Sequence, residues 1–173
     1  MDNPNSHLFY KGITLRDEME IGSDGFGNLI TYLRKNGKRF NENEKLTIID
    51  GCSGIECPVI ASITGSDAVL IVTESTKSGL VNLMRVVYLC KYFGIFTVVC
   101  TNKYDINEEI TFEIEKFTKD NNIILVGKIP YDDMVMRSMN ELKSINCYEE
   151  SIAKISIDYM WEKIKNLVFK IYL

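Results

Sequence analysis

The chain has 173 residues, 46% hydrophobic and 25% charged, with 11 Gly and 3 Pro, which excludes disordered, collagen-like and proline-rich classes and suits one compact domain over residues 1–173. A net charge of -4 argues against nucleic acid as a direct partner, because phosphate binding needs a clustered basic face. Cys52, Cys57, Cys90, Cys100 and Cys147 cannot all pair, and three lie in or beside apolar stretches, so a reducing cytoplasm is the expected location.

The opening Met1-Asp2-Asn3-Pro4-Asn5 has neither the basic nor the apolar region of a secretory signal. A helical pattern runs over Leu29 to Lys38. Next comes Leu46-Thr47-Ile48-Ile49, an apolar run of strand length that ends in Asp50. Ala68-Val69-Leu70-Ile71-Val72 leads to Thr73 and Glu74, and Phe96-Thr97-Val98-Val99-Cys100 leads to Thr101 and Asn102. A fourth run, Ile123-Ile124-Leu125-Val126, leads to Gly127. These runs are apolar on both faces, as expected for a parallel sheet covered by helices.

Helical patterns separate them. Ser78 precedes a segment whose Leu80, Leu83, Val87 and Cys90 share a face, and Gly94 closes it as a C-cap. A second pattern spans Asn107 to Asp120, and a long one runs from about Tyr148 to Lys170. The alternation of strands and helices predicts an alpha/beta, doubly wound and mainly parallel sheet flanked by helices. The most apolar stretch, Val86 to Cys100, is interrupted by Lys91 and Gly94 and is too short to span a bilayer.

In such sheets the carboxyl ends of the strands line the ligand crevice, which is where Asp50, Glu74 and Asn102 fall. Asp50-Gly51-Cys52-Ser53-Gly54 places an acid and then glycines after a strand. That order suits a carboxylate holding the water shell of magnesium and a glycine amide approaching a terminal phosphate; equally, it suits a strand-ending glycine turn. Asn102-Lys103-Tyr104-Asp105 offers a carboxamide to pair with a base edge and a lysine stem to lie along the base. The same tetrad reads guanine through its Asp in GTPases, so GTP binding stands as an alternative, and a solvated turn before a helix is the plain structural one.

Taken together, Ile49-Asp50-Gly51, Gly54-Ile55-Glu56-Cys57-Pro58-Val59-Ile60-Ala61-Ser62, Val72-Thr73-Glu74-Ser75-Thr76, Ser78-Gly79-Leu80, the Asn102 tetrad and Gly127-Lys128-Ile129-Pro130-Tyr131-Asp132 closely resemble the MinD/ParA/Mrp superfamily of deviant P-loop ATPases. The nearest branch is the one with an inserted ferredoxin domain, related to the nitrogenase iron protein. The resemblance covers about residues 8 to 170, including Gly22-Ser23-Asp24-Gly25-Phe26-Gly27-Asn28-Leu29-Ile30-Thr31, which is similar to the family segment before the Walker B strand. It implies a partial CobQ/CobB/MinD/ParA-like nucleotide-binding domain with ATP and magnesium as cofactors. Asp50 is then placed near magnesium through water, Gly54 near the γ-phosphate, and Asn102, Lys103 and Asp105 at the base, with Pro130 and Tyr131 packing it.

The chain also departs from the family. The glycine-rich loop ending in Gly-Lys-Ser or Gly-Lys-Thr occurs nowhere in the 173 residues, and Gly37-Lys38-Arg39 lacks the preceding strand and glycine cluster to replace it. Cys52 and Ser53 stand where the family's switch turn carries prolines, and the cysteine-rich ferredoxin insert is absent. The expectation is an ATP-binding half-site, inactive as an isolated chain, whose phosphate loop comes from a partner polypeptide. A sheet closed up around the gap, or a decayed gene product, would equally account for the missing loop, and a non-catalytic interaction module is the alternative function.

Cys52 and Cys57, separated by four residues, supply two thiolates where an iron-sulfur cluster takes four, so a cluster is not expected unless a homodimer joins two pairs. His7 stands in a polar terminus without a partner pattern. The stripe Ile152, Ile155, Tyr159, Trp161, Ile164, Leu167, Val168 and Ile171 is expected to pack on the core, since Glu149, Glu150, Asp158 and Glu162 dilute the cations that a membrane-surface helix would cluster.

Overall fold

The computed structural model describes residues 46–51 and 57–172. The helix expected over Leu29–Lys38, the Gly22–Thr31 segment, Gly37-Lys38-Arg39, His7, Cys52 and Gly54 lie outside the described residues, as do the side chains of Cys57 and Ile171. The chain divides between Thr64 and Gly65 into two compact units.

In the first unit, residues 46–51 form no helix or strand. This corrects the strand expected at Leu46–Ile49. An apolar run is a strand only as part of a hydrogen-bonded ladder, and here Ile48 is 74% exposed. Helix α1, Cys57–Ile63, follows, with Pro58 in its first turn where a missing N–H leaves no bond unmade. Val59 and Ile63 are buried, and the Ser62 hydroxyl donates to the Val59 carbonyl at 2.8 Å.

The second unit runs β1 (Ala68–Glu74), α2 (Lys77–Tyr92), β2 (Phe96–Asn102), α3 (Glu108–Asp120), β3 (Ile124–Ile129), α4 (Asp133–Asn140), a 3-10 turn (Ile145–Cys147) and α5 (Ile152–Tyr172). Its three strands are parallel in the order β1-β2-β3. Because strand side chains alternate between faces, Val99 joins Ile71, Leu83, Val87, Ile110, Ile114 and Phe117 beneath α2 and α3. Val98 and Cys100 turn the other way and pack with Val126, Ile129, Ala153, Met160 and Ile164 beneath α5.

Among the described strands, β2 is the one buried on both faces. In β1, Ile71 and Thr73 are buried, whereas Leu70 and Val72 on the opposite face are 38% and 53% exposed. The α5 cluster is built on β2 and β3, so that face of β1 is not part of it.

Helix boundaries follow their caps. Thr76, rather than Ser78, caps α2, its hydroxyl accepting from Gly79 N at 2.9 Å. The α2 face expected from sequence holds, with Leu83, Val87 and Cys90 buried and Gly94 following at φ 67°. Asn107 caps α3 by accepting from Ile110 N at 3.1 Å, with Glu108 and Glu109 in the first turn facing the positive end of the helix dipole.

α5 starts at Ile152, later than Tyr148, and the expected stripe divides. Ala153, Met160 and Ile164 face the sheet, while Ile152, Ile155 and Tyr159 are exposed. Both lines have helical spacing, so periodicity alone does not choose between them. Among the described residues no helix is long and apolar enough to cross a membrane.

Candidate functional site

The parallel register brings Glu74 opposite Asn102, and Asn102 opposite Ile129, at the carboxyl edge of the sheet. Two loops meet there, 103–107 after β2 and 130–132 after β3. Gly79 allows the first turn of α2 to crowd the same edge, since a Cβ at that position would lie 2.3 Å from the Glu74 carbonyl oxygen.

The loop after β2 is braced from several sides. Lys103 takes φ 52°, a left-handed conformation that a side chain with a Cβ adopts only when its surroundings impose it. Its Nζ sits 2.8 Å from Glu74 Oε1, which raises the lysine pKa. Both side chains are about half exposed, so the pair contributes little stability. Tyr104 N donates to the Ile129 carbonyl at 3.2 Å. The Tyr104 carbonyl accepts from the Thr111 hydroxyl at 2.6 Å, and Thr111 shares a second 2.6 Å hydrogen bond with Ser75. Lys128 lies over the Tyr104 ring at 5.0 Å while pairing with Glu115. Asp105 Oδ1 then accepts from Tyr131 N at 2.8 Å, tying the two loops together.

Within this frame the Asn102 carboxamide is half-buried and has no hydrogen-bond partner among the described residues. It is therefore free to offer a donor and an acceptor to a ligand. Tyr131, 44% exposed, follows the end of the neighbouring strand. Asn102, Lys103, Asp105, Pro130 and Tyr131 are thus gathered at one edge, as their positions after β2 and β3 require.

Asp50 belongs to the first unit, where it is exposed. A Cβ on the neighbouring Gly51 would lie 3.1 Å from the Ser62 hydroxyl. Among the described residues no group of three or more His, Cys, Asp or Glu side chains is placed to hold a metal ion. A single carboxylate fits magnesium only as the cation is carried on a phosphate, with water completing its shell.

Sequence reasoning did not find the Thr111–Ser75 brace, nor Asp132. The Asp132 carboxylate caps α4 by accepting from Met134 N at 2.9 Å and also accepts from the Ser151 hydroxyl and Ala153 N at the start of α5. Ser151 first, and then the Ala153 amide, hold its pKa below the usual carboxylate value. Asp132-Asp133 before Met134-Val135-Met136 is an N-cap pattern that signals α4.

The chain matches no protein-family model. It is 27% identical over 151 residues to the uncharacterized protein MJ0578 of Methanocaldococcus jannaschii and 26% identical over 128 residues to MJ0579 of the same organism. These alignments take in 87% and 74% of this chain but 50% and 42% of the relatives, so the chain spans about half the length of the curated relatives it matches. Among solved structures it superposes on the MinD cell division protein of Aquifex aeolicus with a TM-score of 0.66 at 18% identity, covering 81% of this chain and 61% of that one. The cell division ATPase MinD of Pyrococcus furiosus gives 0.65 at 19%, covering 82% and 59%. The septum site-determining protein MinD of Pyrococcus horikoshii, solved with Mg-ADP, gives 0.65 at 18%, covering 82% and 57%. The fold is that of the MinD/ParA-like P-loop NTPases.

Proposed function

We propose that the chain is the base-recognising part of a MinD/ParA-type ATPase, cytoplasmic, with the phosphate loop supplied by another polypeptide. The observation that carries this reading is the Asn102 carboxamide, which has no hydrogen-bond partner among the described residues, at the carboxyl edge of a parallel sheet. A carboxamide matches adenine, whose edge presents an amino donor beside a ring-nitrogen acceptor. The Lys103 stem, Pro130 and Tyr131 flank the base; the roles that the resemblance gives Gly54 at the γ-phosphate and Asp50 at magnesium, through water, belong to the same proposal. The nitrogenase iron protein branch is the proposed kin, on the pattern Gly54-Ile55-Glu56-Cys57-Pro58, without an iron-sulfur cluster in this chain.

A non-catalytic interaction module is the second reading. It is favoured by the absence of a Gly-Lys-Ser or Gly-Lys-Thr sequence from the 173 residues. A competition titration with ATP and GTP, with a polypeptide carrying the phosphate loop present, separates the readings. ATP is expected to win, and Asn102→Ala to weaken its binding by about 1 to 3 kcal/mol, the cost of leaving buried polar groups unpaired. Preference for GTP moves the assignment to a GTPase, and binding of neither nucleotide leaves the interaction module.

A further inference from the structure

We infer that Asp105 is a positioning residue that sets the base preference of this site by holding the Tyr131 amide instead of touching the base; the inference rests on the nucleotide reading above. Reading guanine through a carboxylate takes both oxygens, because the ring N–H and the exocyclic amino group present two donors side by side. Here Oδ1 is directed at Tyr131 N, 2.8 Å away, which leaves Oδ2 alone. The carboxylate is oriented by its own loop. Ile106 N donates to the Lys103 carbonyl at 3.2 Å and Tyr104 N to the Ile129 carbonyl at 3.2 Å, while the Thr111 hydroxyl fixes the Tyr104 carbonyl.

Thr111 and Ser75, which anchor this loop to α3 and to the end of β1, are 5% and 4% exposed. Turning Asp105 toward a base would break the Tyr131 bond, the side-chain tie between the two loops. The tie instead keeps Pro130 and Tyr131 at a fixed distance from Asn102, whose carboxamide suits adenine. Asp105 acts through Tyr131, and Asn102 makes the base contact.

The test uses adenosine and guanosine, which lack phosphates and so need no phosphate loop, titrated into the full chain while the Asn102 and Tyr131 amides are followed by NMR. Hydrogen exchange of the Tyr131 amide is measured alongside, without nucleoside. Asp105→Asn keeps an oxygen for the Tyr131 N–H, so exchange protection stays and adenosine affinity remains within about threefold of wild type; Asp105→Ala loses protection and weakens adenosine about tenfold. Retention in the Asn variant with loss in the Ala variant is the signature of positioning. Tyr131 exchange indifferent to Asp105→Ala overturns the positioning role alone. Guanosine bound in preference, and lost in Asp105→Asn while Tyr131 stays protected, makes Asp105 a base contact and overturns the inference. Binding of neither nucleoside by the wild type sinks the nucleotide reading and the base preference together.

Discussion

Ser151, fully buried, donates its hydroxyl hydrogen to Asp132 Oδ2 across 2.6 Å. The same oxygen accepts from Ala153 N at 3.0 Å, and Oδ1 accepts from Met134 N at 2.9 Å. One carboxylate thus satisfies the starting N–H groups of both α4 and α5, and through the adjacent Tyr131 it joins them to the loop after β2. Without it, two helix ends would each lose a cap.

Asp132→Ala is expected to destabilise the chain by about 1 to 3 kcal/mol, since each lost cap costs about 0.5 to 2 kcal/mol. Denaturant unfolding of the variant against wild type measures this. The pH dependence has a definite sign. The folded pKa of Asp132 lies below its ordinary 3.8, so the charged form stabilises the fold fully above pH 3.8. That contribution fades as the pH falls through the folded value. The stability gap between wild type and variant should hold at neutral pH and narrow only below 3.8; a gap that instead narrowed on raising the pH would rule out this origin.

The parallel alpha/beta order was legible because β2 and its neighbours read as continuous apolar runs and the α2 face repeats at Leu83, Val87 and Cys90. The gathering of Asn102, Asp105 and Tyr131 was legible only in part. Side chains that follow successive parallel strands meet at one edge, but nothing in the spacing says that Asp105 grips a backbone amide. Which line of α5 faces inward was hidden as well, since Ile152-Ile155-Tyr159 and Ala153-Met160-Ile164 are both helical stripes. The sheet chooses the second because Ala153 is small and Gly127 opens a place for Met160. At Leu46–Ile49 the apolar pattern was present, but pattern alone does not make a strand.

That place is narrow. A Cβ on Gly127 would lie 2.9 Å from Met160 Cβ and 3.1 Å from its Cγ. Met160 Cβ is fixed to the helix backbone and cannot swing aside, so Gly127→Ala must push α5 off β3. The expected cost is about 1 to 3 kcal/mol, read as a lower melting temperature. An unchanged melting temperature would show that α5 is not held against β3 this closely.

The thiols should differ sharply in reactivity. Burial pushes the Cys100 pKa up to about 12 and raises that of Cys90, whereas Cys147 is exposed. Only thiolate reacts with iodoacetamide. Brief labelling of the native chain at neutral pH should therefore modify Cys147 and spare Cys90 and Cys100, with all three labelled after denaturation. Peptide mass mapping reads the pattern, and native modification of Cys100 would contradict its burial between β2 and α5.

The exposed Leu70 and Val72 of β1 bear on the proposed partner. Leu70 and Val72 place two β-sheet aliphatics in water, a surface suited to an apolar element from another polypeptide. If that polypeptide carries the phosphate loop, its addition should raise the melting temperature and tighten ATP binding together. A partner that binds only the folded state stabilises it by about 2.7 kcal/mol at a hundredfold excess over its dissociation constant, and each kcal/mol is worth about 2 to 4 °C for a domain of this size. Val72→Lys separates docking from folding. The side chain is already half exposed, so the variant should keep its own stability to within about 0.5 kcal/mol. It should nevertheless lose both the thermal shift and the partner's gain in ATP affinity. The chain by itself should show no ATPase activity above a control without protein, because amides and a lysine around the transferred phosphoryl group supply most of the catalysis in this class. A chain that hydrolyses ATP alone, or one that gains neither stability nor nucleotide affinity from the added loop, would end the split-site reading, and in the second case the interaction module takes its place.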